Sequence, residues 1–156
     1  PEAQLDRFLF KIKVDYPNLQ QETKILQDFH SRKNSLQIEN VKSVMTAEQL
    51  TRYREKVYSL YVEPQLLHYI AQIVSQTRNN SSLHLGASPR ASLAILTSSK
   101  AIAAMRGRDF ITPDDIREVA IPVLQHRVML TPEREMEGLT AGEIIRQILQ
   151  QVEVPR

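Results

Sequence analysis

Cysteine and tryptophan are absent from the 156 residues, and glycine occurs only four times, at positions 86, 107, 138 and 142. Without cysteine there can be no disulfide and no thiolate-ligated metal, a composition compatible with a reducing compartment, and the expectation is a cytoplasmic protein. None of the four glycines begins a GxxxxGK[ST] pattern, so the chain by itself has no phosphate loop and is not expected to hydrolyse nucleotide alone. Neither sign of charge dominates: 20 basic residues face 18 acidic ones, for a net charge of +2. The surplus is not concentrated, with eleven basic and nine acidic residues up to Asn80 and nine of each after it. No basic stripe emerges, which argues against nucleic acid as the main partner. The apolar runs fall well short of the roughly 18 residues that a membrane-spanning helix needs. The first residues lack a basic stretch followed by an apolar one, so no signal peptide is expected. What remains is ordinary: 42% hydrophobic and 24% charged residues, in a chain long enough to bury one sizeable core.

The most informative stretch is Leu85-Gly86-Ala87-Ser88-Pro89-Arg90, followed by the alanine-rich residues 91–105. Ser88 can cap a helix whose first residue is Pro89, since proline lacks only an N–H that would be unpaired there. The apolar positions downstream cover most of the helix circumference, which predicts a central helix surrounded by neighbours and stopped by Gly107. Arg90 is out of place, because a cation in the first turn opposes the helix dipole by roughly 0.3–1 kcal/mol unless an anion lies beside it. That anion could be a phosphate, which helix N-termini and an arginine fork both favour, or simply a neighbouring carboxylate.

Taken in order, residues 1–6 read as the end of a short helix or as a loop, and residues 8–14 as a strand, with Phe8, Phe10, Ile12 and Val14 alternating with Leu9, Lys11 and Lys13. One strand cannot make a sheet, so its partners are expected in a preceding part, and the chain, which begins at Pro1, is read as a piece of something longer. Residues 16–18 mark a boundary. Helices are expected over 20–32, with Ile25, Leu26 and Phe29 on one face, and from a capping box at Thr46 and Gln49 to about Tyr58. A polar stretch at 33–40 separates them. A third helix runs from Pro64 to about Arg78, burying Leu66, Leu67, Ile70, Ile73 and Val74. After the central helix, Thr112-Pro113-Asp114-Asp115 begins another, which buries Ile116, Val119, Ala120, Val123 and Leu124 and should be kinked or interrupted at Pro122. A polar link then leads to a last helix from about Thr140 to Val152, with Ile144, Ile145, Ile148 and Leu149 inward.

Self-sufficient chemistry is hard to find. His30, His68, His84 and His126 form no HExxH or close pair, so no metal site is expected. Glu133, Glu135 and Glu137 read as a solvated charge run rather than an acid–base pair, and Tyr53, Tyr58 and Tyr61 as packing residues.

Several segments nevertheless carry a resemblance. Pro1-Glu2-Ala3-Gln4-Leu5-Asp6-Arg7-Phe8, Thr77-Arg78, Gly86-Ala87-Ser88-Pro89-Arg90-Ala91, Gly107-Arg108-Asp109, Thr112-Pro113-Asp114-Asp115 and His126-Arg127 resemble, in that order, segments of MoxR-type AAA+ ATPases. The resemblance covers nearly the whole chain. It implies a mainly α-helical lid bundle over residues 18–156, preceded over 1–17 by the last strand of an α/β ATPase core whose Walker A and Walker B motifs lie upstream. It also implies that Arg90, with Ser88 and Pro89, is a sensor 2 group reaching the phosphates of nucleotide bound in the same subunit. Arg7 would be an arginine finger reaching the γ-phosphate held by a neighbouring subunit. ATP and Mg²⁺ would be held mainly by the upstream core. Partners would be that core, neighbouring subunits of a ring and client proteins, with von Willebrand factor A domain proteins among the candidates. The rival readings are a helical nucleic-acid binder using Arg90, Arg106 and Arg108, and an adaptor with no nucleotide chemistry.

Overall fold

The computed structural model describes residues 2–31 and 41–155, and the polar stretch at 33–40 lies outside them. The elements are α1 (Glu2–Leu5), α2 (Leu19–Ser31), α3 (Ala47–Tyr58), α4 (Pro64–Arg78), β1 (Leu83–Leu85), α5 (Pro89–Met105), α6 (Pro113–Leu124), β2 (Met129–Leu130), α7 (Pro132–Met136) and α8 (Ala141–Gln151). The architecture is mainly α, and no described helix is long and apolar enough to cross a membrane. The chain divides into two compact units, residues 1–11 with 52–156, and residues 12–51.

The larger unit is built around α5, which packs on α4 and α6, while α8 closes against α4 and α6. Apart from Ile95, its buried positions are small, namely Ala91, Ala94, Ser98, Ser99 and Ala103, which lets the flanking helices approach closely. Ser99 returns its hydroxyl to the Ile95 carbonyl at 2.8 Å, so the buried polar group is satisfied within the helix. α5 is central without being enclosed, because Leu93 and Met105 face solvent. Gly107, at φ +74°, then ends the helix in a conformation that side chains disfavour. α4, α6 and α8 begin where their prolines and threonines predict, and the inward sets expected for α6 and α8 are all buried. Each such isoleucine or leucine contributes roughly 1.5–3 kcal/mol relative to exposure. In α4, Leu67 is exposed and Tyr69 buried instead, since an apolar stripe is wider than the face that its neighbours cover. α6 runs unbroken through Pro122, whose missing N–H near the last turn removes a single helical bond.

β1 and β2 pair antiparallel, Leu83 with Leu130 and Leu85 with Met129, bringing the approach to α5 beside the chain that leaves α6. Residues 8–14 do not form the expected strand. Alternation requires a neighbouring ladder to become a strand, and residues 8–11 instead spend carbonyls on side chains that follow α6. Phe8, Ile12 and Val14 are left exposed.

In the smaller unit, the amides and side chains of Asn18 and Gln21 bond reciprocally at 2.9 Å at the start of α2. The capping box of α3 forms as expected, with the Thr46 amide bonding Gln49 at 2.8 Å and the Gln49 amide bonding Thr46 at 3.2 Å.

Candidate functional site

The loop before α5 is held by the end of α4. A Cβ on Gly86 would lie 2.6 Å from the Arg78 Cα, so only glycine lets the two backbones come this close. The Arg78 Nε then donates to the Ala87 carbonyl at 2.8 Å, and the Thr77 hydroxyl accepts from the Ala87 amide at 2.9 Å. Thr77-Arg78 and Gly86-Ala87 are therefore one structural unit, which fixes where the N-terminus of α5 points.

At that N-terminus the Ser88 Oγ accepts from the Arg90 amide and donates to the Asp6 carboxylate at 3.0 Å. Asp6 is thus the anion that the helix dipole favours. The Arg90 guanidinium reaches the same carboxylate only at 3.6 Å, with 64% of its side chain exposed. Such an exposed ion pair contributes about 0–1 kcal/mol, so Arg90 is free to exchange Asp6 for another anion. Pro89 occupies the first helical position, as predicted. Arg7 is exposed and makes no ion pair or hydrogen bond through its side chain with any described residue. Its sequence neighbour Asp6 is engaged by Ser88, Arg90 and Arg127 instead.

Asp6, Gly86, Ser88, His126 and Arg127 line a cavity of about 330 Å³. The His126 Nε2–H donates to the Phe8 carbonyl at 2.8 Å, an assignment that follows because a carbonyl can only accept. Burial pushes the His126 imidazole below its ordinary value, and Arg127 and Lys11 act in the same sense against the Phe8 bond and Asp6. Burial likewise lowers the Arg127 guanidinium, opposed by Asp6.

A second polar cluster closes the other end of α5. Asp115 is fully buried and accepts from Arg108 at 2.6 and 2.7 Å, from Arg106 at 3.0 Å, and from the Thr112 amide and hydroxyl at 2.8 and 2.9 Å. Burial would raise its carboxyl, but the Arg108 and Thr112 bonds outweigh that and bring it down to about 2. Arg106 also pairs with Glu118 at 2.6 Å. Two of the three arginines invoked for nucleic-acid binding are thus committed to internal carboxylates. Tyr53, Tyr58 and Tyr61 are exposed rather than packed. Among the described residues, no group of three His, Asp or Glu could hold a metal ion.

The chain is similar to known proteins in sequence and in fold. Residues 75–148 match the family of AAA lid domains. Over 155 residues, 99% of the chain, the sequence is 39% identical to the uncharacterized protein YeaC of Bacillus subtilis and covers 48% of it. It is 34% identical to the chaperone MoxR1 of Mycobacterium tuberculosis over its whole length, covering 42% of that protein. The crystal structure of a Cytophaga hutchinsonii protein provisionally assigned as an ATPase superposes with a TM-score of 0.86 at 29% identity, over 100% of this chain and 49% of that one. The chain spans about half the length of these relatives or less.

Proposed function

With a chain whose sequence and fold are those of the C-terminal, lid-bearing region of the MoxR-type AAA+ ATPases, we propose that it serves as the nucleotide-sensing lid of an ATPase that remodels or matures client proteins. Residues 1–17 are the end of the α/β core and residues 18–156 the lid with its linker. Arg90 is the sensor 2 group acting on nucleotide held by its own subunit, with Ser88 and Pro89 shaping the helix end around it. Arg7 is the arginine finger acting on the neighbouring subunit of a ring, where it would stabilise charge spread over the transferring phosphoryl oxygens. ATP and Mg²⁺ belong chiefly to an upstream core, because this chain has no phosphate loop. Von Willebrand factor A domain proteins are candidate clients by family resemblance.

One observation carries this reading. Arg90 stands exposed in the first turn of α5, held only by a loose pair with Asp6 beside a cavity that Asp6 and Ser88 line, and Arg7 is exposed with no ion pair among the described residues. The donors here suit an anion's outer oxygens and are too few to cradle a whole triphosphate, as expected of a lid that completes a site built elsewhere. Nucleotide affinity of lone subunits of the full-length protein tests the assignment. Arg90→Ala should weaken binding several-fold and Arg7→Ala should leave it unchanged; equal affinities in both variants would count against the sensor assignment.

A further inference from the structure

Arg127 is the most deeply buried cation among the described residues, with 3% of its side chain exposed. A guanidinium has five N–H donors in a planar fork, and here every nitrogen is engaged. The Nε donates to the Asp6 carboxylate at 3.3 Å. One terminal nitrogen bonds the carbonyls of Asp6 at 3.1 Å and Phe8 at 2.6 Å, and the other bonds those of Leu9 at 3.1 Å and Val123. Three of these carbonyls, at 6, 8 and 9, bracket Arg7. The neighbouring His126 doubles the hold on Phe8, and the Lys11 amide and carbonyl bond Pro122 and Gln125.

We infer that Arg127 is a positioning residue for Arg7: it fixes the backbone on both sides of the exposed arginine to the C-terminal end of α6. This rests on the reading of Arg7 given above. A lysine could not replace it, having three donors on a point charge where the site offers acceptors spread around a plane. The clamp is also independent of Arg90, since Arg127 takes one Asp6 oxygen and Arg90 the other. Arg90 can therefore move to a phosphate without releasing Arg7.

Hydrogen exchange of the 156-residue chain tests the clamp, and turnover of the full-length ATPase tests the positioning. In Arg127→Lys, amides from Arg7 to Lys11 should exchange about tenfold faster while those of α8 are unchanged. In the full-length enzyme the same variant should lose kcat roughly tenfold or more with the nucleotide KM within about twofold, the signature of a contact made only in the transition state. Unaltered exchange at residues 7–11 would overturn the clamp. A normal kcat in Arg127→Lys beside an impaired Arg7→Ala would overturn the positioning role alone, whereas a normal kcat in Arg7→Ala would remove the finger reading itself. If Arg127→Lys does not melt cooperatively, Asp6→Asn replaces it. That variant keeps the four carbonyl bonds and removes the charge that draws Arg127 to residue 6, so exchange at residues 7–11 should rise by a few-fold, and no rise would overturn the part of the clamp assigned to the Arg127–Asp6 pair.

Discussion

Helices α8 and α2 carry the same kind of pattern and meet opposite fates. In α8, Ile144, Ile145, Ile148 and Leu149 recur at helical spacing and all four are buried against α4 and α6. In α2, Ile25, Leu26 and Phe29 make a comparable stripe and remain 57%, 65% and 61% exposed. No described residue of the whole unit 12–51 is buried. Periodicity thus identifies a face without supplying its cover. In the larger unit the cover comes from helices that converge on one core, so stability there should be cooperative, while the smaller unit should contribute little to it.

Four measurements sharpen or break this contrast. Ile148→Ala should have the largest effect, about 3–4 kcal/mol by urea denaturation, from lost apolar contact and the cavity left in a packed site. Gly86→Ala should cost about 1–3 kcal/mol, because the new methyl meets backbone atoms of Arg78 that cannot swing aside. The Asp115 cluster should show itself in pH dependence. Its folded-state carboxyl lies near 2 against an ordinary 3.8, so its contribution is complete above about pH 4 and is lost as pH falls through 3.8 toward 2. About 2 kcal/mol should disappear across that window, and Asp115→Asn should remove this part of the acid profile. Phe29→Ala should come last, within about 0.5 kcal/mol, and a loss comparable to Ile148→Ala would show that the apolar face of α2 is covered in solution.

Much of the larger unit is legible in the sequence because its signals are local. Glu63-Pro64, Ser88-Pro89, Thr112-Pro113 and Thr140 each stand beside the first turn they start, and Gly107 beside the turn it ends. What is not legible depends on residues far apart in the chain. The pairing of β1 with β2 joins short segments some 45 residues apart that have no alternation long enough to read. The short α7 hides in a glutamate-rich stretch that looks like a solvated link. The alternation at residues 8–14 is genuine but has no ladder beside it. At the candidate site, Arg90 is visible in the sequence as a misplaced first-turn cation, for which a carboxylate partner is one of the possibilities. Asp6 as that partner, 84 positions earlier, is not visible there. Arg127 gave no signal beyond its place in a family segment, since five bonds to a carboxylate and backbone carbonyls leave no mark in residue type.

The central claim is that Arg90 serves its own subunit and Arg7 the next one. Mixing full-length subunits carrying Arg7→Ala with subunits disabled at the upstream phosphate loop tests it most directly. Wherever the intact Arg7 of a phosphate-loop mutant faces the intact nucleotide site of an Arg7→Ala subunit, hydrolysis should return, to a substantial fraction of the wild-type rate per competent interface. Absence of any recovery, in rings whose mixed composition is confirmed by mass measurement, would contradict the account.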